Sequence, residues 1–194
     1  EQPVVTGDSW QQLLAVCGAL VEAGHPEPGT IDFYVLRPTA SGFDVAAELT
    51  GGTYGSSGQP GTVQIVRAGS DFYGFRVEDG WFGQGYSLIS QSLVLPGPKG
   101  LVDTGSMRSH IDNGAAYDCD DADAAEDCRS KVFNIDFNQR FDDSDRSARV
   151  WPLLVEETGS TCGGTAVRQQ HRFTLDPKTW TYSFPAALLR EGCE

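Results

Sequence analysis

The spacing of apolar positions changes once along this chain, from helical in the first two dozen residues to strand-like afterwards. Trp10, Leu13, Leu14, Cys17 and Val21 recur at helical intervals, which predicts an amphipathic helix over residues 9–23. Ser9 can cap its start, and Gln12 three residues on completes a capping box. Gly24 followed by His25-Pro26 ends it. Cys17 falls on the apolar face and reads as a buried structural thiol.

Beyond this point short strand-like runs alternate with turn residues. TIDFYVLRP (30–38) and GFDVAAELT (42–50) form a hairpin across TASG, and TVQIVRA (62–68) and DFYGFRVED (71–79) form another at Gly69-Ser70. YSLISQSLVLP (86–96) starts with alternation and stops at Pro96. The last third adds SARVWPLLVEETG (147–159), TAVRQQHRFTLD (165–176) and TWTYSFP (179–185), with DPKT (176–179) as a tight turn. Trp151 and Trp180 lie in these runs and read as core. The expected fold is mainly β, in the α+β class: an antiparallel sheet or sandwich with one N-terminal amphipathic helix packed on it. No internal repeat or low-complexity linker divides residues 1–194, so a single domain is expected.

Composition refines this picture in two respects. The chain has 194 residues, 39% of them apolar, and chains of this size bury roughly 70% of their unfolded surface. Its longest apolar run, LLAVCGALV (13–21), falls far short of the ~20 residues that span a bilayer, so no membrane insertion is expected. The net charge of -13 comes from 27 acids and 14 bases, which argues against nucleic-acid partners and favours a basic one.

The charge is concentrated. Residues 112–145 hold eleven acids against Arg129, Lys131 and Arg140, a net -8, and read as an acidic loop insertion on a β scaffold. Its centre is YDCDDADAAEDC (117–128), where Asp120, Asp121, Asp123, Glu126 and Asp127 lie between two cysteines. None of the five cysteines forms CxxC, and there are only three histidines, so a zinc cluster is not expected. Disulfides Cys119–Cys128 and Cys162–Cys193 are expected instead, leaving Cys17 over, and they imply a secreted or periplasmic protein. The alternative is a cytoplasmic chain with free thiols.

A Cys119–Cys128 ring contributes roughly 2.5–3 kcal/mol by chain entropy. Carboxylates about 8 Å apart repel by roughly 0.5 kcal/mol per pair in water, so several pairs offset the ring's gain. Three readings account for the crowding. The leading one is a binding or inhibitor protein, immunity-like, whose acidic loop engages a basic protein such as a cell-wall hydrolase or toxin. The second is calcium; EF-hand spacing fails at Ala122 and Arg129, and again at Arg140, which leaves an irregular site at Asp142, Asp143 and Asp145. The third is a solvated acidic face.

The stretch DGWFGQGYS (79–87) suggests a different class of function. Trp81, Phe82 and Tyr86 lie among glycines, and exposed aromatics on a β scaffold can stack on sugar rings, as in carbohydrate-binding modules. Their packing into the core is the competing reading. Of the catalytic patterns, GxSxG, the P-loop and HExxH are absent. His25, His110 and His171 fall at a helix end, in a polar loop and mid-strand, with no partner evident. The chain therefore reads as a non-enzyme, with a hydrolase of unrecognised site as the remaining alternative.

Overall fold

The computed structural model describes residues 2–6, 9–119 and 125–193; the side chains of 2–6, 9, 10, 125 and 127 are not among those described. The fold is mainly β, with strands running in sequence order through two antiparallel sheets. The first sheet holds β1 (Gln2–Thr6), β2 (Ser9–Gly18), β3 (Gly29–Thr39) and β4 (Gly42–Tyr54). The second holds β5 (Thr62–Gly69), β6 (Phe72–Gly83), β7 (Tyr86–Gly97), β8 (Gly100–Asp112), β9 (Asn134–Phe141), β10 (Leu153–Thr161) and β11 (Thr165–Phe173). One short helix, α1 (Ala125–Lys131), lies between β8 and β9.

Alternation along each strand decides which side is buried. On β3, Ile31, Phe33 and Val35 are buried while the residues between them are not. These side chains meet Leu13 and Tyr54 from their own sheet and Phe75, Val77, Val94 and Leu101 from the other, so this core joins the two sheets. Phe33 and Phe75 stand at its centre, with ring centroids 4.9 Å apart. Burying each such ring contributes about 1.5–3 kcal/mol.

A second core is built from Leu93, Leu95, Met107, Phe137, Leu153 and Leu188 together with neighbouring apolar residues. It exists because the seven-stranded sheet curls. The Trp151 amide donates to the Ala68 carbonyl (2.7 Å) and the Ser70 amide to the Ala148 carbonyl (3.1 Å), tying the approach to β10 back to the end of β5. The C-terminal segment then packs on this core through Leu175, Tyr182 and Leu188, and the Tyr182 amide donates to the Thr104 carbonyl on β8 (2.8 Å). Disulfides join Cys119 to Cys128 and Cys162 to Cys193.

Four expectations are corrected. The helix over residues 9–23 is not formed: β2 pairs with β3 from Gln12↔Leu36 to Gly18↔Thr30. Of its described apolar stripe only Leu13 is buried and Val21 is 85% exposed, so the helical spacing marks no buried face here, and the backbone of β2 is satisfied by pairing with β3. Cys17 accordingly is an exposed free thiol. Residues 179–185 are not a strand; Thr179 and Trp180 complete the tight turn, in which the Trp180 amide donates to the Asp176 carbonyl (2.8 Å), and Trp180 itself sits at φ 60. The acidic stretch 112–145 is not one loop, because it contains β9, whose Ile135 and Phe137 are fully core.

Candidate functional site

The β6–β7 hairpin positions the aromatic residues. Gln84 (φ 53) and Gly85 (φ 81) both take positive φ between the paired Gly83 and Tyr86, giving the two-residue turn whose twist matches antiparallel strands. Trp81 and Phe82 are consecutive, so they leave opposite sides of the ribbon. Trp81 is half-buried and edge-on to His25 at 6.3 Å; it lines a cavity of about 350 Å³ with Asp79, Ser90, Arg108 and Glu191. Phe82, 60% exposed, lines a second hollow of about 300 Å³ with Gln59, Pro60, Thr62 and Glu78. Gly55, Ser56, Asp79 and Gly80 border both hollows. Tyr86 packs instead against Phe133 and the second core.

Asp79 lies between the hollows. Burial pushes its carboxyl above the usual carboxylate range, opposed by the Gly55 amide, which donates to Oδ2 at 3.2 Å, and by the Arg108 charge. Arg108 donates to Ser90 Oγ (2.8 Å) and ion-pairs with Glu191. Burial and the charges of Asp103 and Asp79 hold the Tyr54 hydroxyl above its usual range.

A third groove, about 560 Å³, crosses β6 to β9 and shares Glu78 and Ile89 with the Phe82 hollow. The register explains its floor. Gly80, Ile89, His110 and Asp136 lie directly opposite one another across the four strands, and Glu78 faces Gln91 one step along. Glu78 Oε2 accepts from Gln91 Nε2 (2.7 Å), and His110 Nδ1 lies 2.8 Å from Asp136 Oδ1. Pairing between β8 and β9 covers only His110–Asp112 and Asn134–Asp136, so beyond His110 the strands part and the groove opens there. Four of its lining residues each hold a polar atom, Arg76 Nε, Gln91 Oε1, Ser109 Oγ and Gln139 Nε2, that is shielded from solvent without a hydrogen-bond partner. Burial pulls the Arg76 guanidinium below its usual pKa, against the pull of Glu78, and Arg76 forms no ion pair among the described residues.

The other expected site residues are placed as follows. Asp120, Asp121 and Asp123 lie outside the described residues, as does the side chain of Asp127. Glu126 is exposed on α1 and lines a hollow of about 420 Å³ with Arg129, Ser130 and Gly163. Asp142 accepts from the Ser144 amide (3.2 Å) and from Arg172 Nε (3.2 Å), while Asp145 accepts from the Ser147 amide (3.0 Å) and hydroxyl (2.7 Å). Among the described residues no three His, Cys, Asp or Glu side chains gather as a metal site. His171 Nε2 lies 3.3 Å from Glu157 Oε2, and Arg190 also pairs with that buried carboxylate.

Arg76, Asp79, Gln91, Arg108, Ser109 and Gln139 were not singled out from sequence. Their only signal is a polar residue in a strand position, which is as common on a solvated face as in a groove. No protein-family model, curated protein or solved structure matches the chain. Among the described residues no helix is long and apolar enough to cross a membrane.

Proposed function

We propose that this chain is a non-catalytic glycan-binding module that uses the β6–β7 hairpin. The observation that carries the reading is Phe82, 60% exposed at the head of a hollow walled by Glu78, Gln59 and Thr62. An aromatic face with carboxylate and amide groups around it suits a pyranose ring, which presents an apolar C–H face and a rim of hydroxyls. Trp81 in the adjoining cavity, beside Asp79 and Arg108, supplies a second aromatic on the other side of the ribbon. The two disulfides fit a secreted or periplasmic setting, where glycans are exposed. A glycan array probed with wild type, Phe82→Ala and Trp81→Ala tests the reading. Binding by wild type that is lost in Phe82→Ala supports it, whereas an array with no wild-type signal removes it.

A second reading is favoured by the Cys119–Cys128 bond and by Glu126, exposed on α1. In that reading the acidic run, with Asp120, Asp121, Asp123 and Asp127, engages a basic protein partner as an inhibitor would. Its signature is binding that weakens steeply with salt. Pull-downs at low salt and at about 0.5 M NaCl, where the Debye length is under 10 Å, test it; a captured protein that stays bound at high salt overturns it.

A further inference from the structure

We propose that the groove at the β8–β9 opening is a carboxylate-recognition subsite, and that it takes an acidic sugar of the uronic-acid class. This deepens the glycan reading and rests on it for the sugar portion of the ligand.

Buried polar atoms in folded proteins almost always have partners, and each exception calls for an explanation. Here Arg76 Nε, Gln91 Oε1, Ser109 Oγ and Gln139 Nε2 belong to four residues that line one groove. They come from β6, β7, β8 and β9 in turn, and the groove they line opens where the pairing of β8 with β9 stops at His110 and Asp136.

The donor set points to an anion. Arg76 is a forked cation with no ion pair among the described residues, and Ser109 and Gln139 add an O–H and an N–H donor on the same groove. A carboxylate accepts two parallel bonds from a guanidinium, which is the geometry arginine serves best. The acceptors set the rest of the ligand. Gln91, Glu78 and Asp136 also line the groove, and their side-chain oxygens suit hydroxyl donors. The two carboxylates disfavour a dianion such as phosphate, while a single negative charge beside several hydroxyls meets both halves of the site. Glu78 and Ile89 continue into the Phe82 hollow, so a further sugar unit linked to the acidic one has an aromatic face to stack on. The groove, about 560 Å³, lies within the roughly 300–1,000 Å³ typical of ligand clefts.

Calorimetric titration of the whole chain with galacturonate, galactose and inorganic phosphate at low salt provides the test. Galacturonate should bind at least about tenfold more tightly than galactose, because the neutral sugar leaves the arginine unpaired. Arg76→Gln should bring galacturonate to the galactose level. Ser109→Ala, a smaller change that leaves the charge in place, should weaken galacturonate several-fold while near-ultraviolet dichroism stays native. No binding of galacturonate, equal affinity for the two sugars, phosphate as tight as galacturonate, or wild-type affinity in both variants would each overturn the proposal. Failure of this subsite and of the glycan reading are separable. A chain that binds neutral oligosaccharides through Phe82 but ignores galacturonate keeps the module and loses the subsite. A chain that takes galacturonate through Arg76 but binds no oligosaccharide keeps the subsite and loses the module.

Discussion

Arg108 on β8 ion-pairs with Glu191, 83 residues further along, and so draws the end of the chain against the wall of the Trp81 cavity. The Cys162–Cys193 disulfide fixes the same segment two residues later. The two restraints differ in strength. Glu191 is 65% exposed, and ion pairs with an exposed member contribute about 0–1 kcal/mol. The disulfide spans a sequence separation of 31, for which the chain-entropy argument gives about 3–4 kcal/mol. Urea unfolding should therefore place Glu191→Gln within about 1 kcal/mol of wild type, and a Cys162→Ala/Cys193→Ala double variant several kcal/mol below it. Equal losses in the two would mean that the disulfide restrains the segment no more strongly than the ion pair does.

Asp79 gives a pH dependence whose sign follows from its surroundings. Burial raises its carboxyl pKa in the folded chain above the unfolded value, outweighing the Gly55 amide and Arg108. Above the folded pKa both states are ionised, and the folded one carries the desolvation cost. As pH falls through the folded pKa the native state takes up the proton first, so this group's contribution to stability improves until the unfolded pKa is passed. Asp79→Asn keeps an oxygen for the Gly55 amide and removes the charge. The variant should melt higher than wild type at pH 7, with the gap closing as pH approaches about 4. Asp142 and Asp145 act in the opposite direction, since hydrogen bonds from Ser144 and Ser147 lower their pKa values and their contribution is lost in acid. A gap that widens on acidification would show that Asp79 is not the group desolvated in the fold.

The turn that carries the aromatics tolerates little change at Gly85. Its φ of 81 strains any side chain, and a Cβ there would stand 2.2 Å from the Ala116 backbone nitrogen. Gly85→Ala must therefore push the hairpin tip off the 3₁₀ turn at Gly114–Ala116, at a cost of about 1–3 kcal/mol. Thermal unfolding should show the loss, and tryptophan emission should shift to the red by a component that Trp81→Phe removes, as the cavity loosens. A variant that melts with wild type would mean that the tip does not rest on that turn.

The legible parts of the fold were those with a clean period of two and an unambiguous turn. The β3–β4 pair shows this, with Thr39 facing Gly42 across two residues. Residues 9–23 misled because Leu13, Cys17 and Val21 sit at helical spacing, whereas burial in the structure is settled by what β2 pairs with and not by its own stripe. β8 escaped notice because register shifts near Ser90 and Ser92 on β7 break its alternation. Of the candidate site, Trp81 and Phe82 could be read from sequence as aromatics among glycines. The groove could not, since Arg76, Gln91, Ser109 and Gln139 come from four strands and are brought together only by their registers.

Arg76 offers the sharpest separation of folding from binding. Its guanidinium is half-buried, has an unpartnered Nε and pairs with no described carboxylate. Replacing such a charge with an apolar side chain of similar length removes a desolvation cost and keeps the stem's packing. Arg76→Met should raise stability by about 1 kcal/mol, which for a chain of this size is roughly 2–4 °C in melting temperature. Added galacturonate should reverse the order. At about a hundredfold excess over the wild-type Kd it stabilises the wild type by about 2.7 kcal/mol through mass action, and Arg76→Met, weakened at least about tenfold, by no more than about 1.4 kcal/mol. Melting curves of the two proteins with and without the sugar acid should therefore cross. Curves that keep the variant lower throughout would mean that the arginine is satisfied within the fold and that its place in the groove is structural.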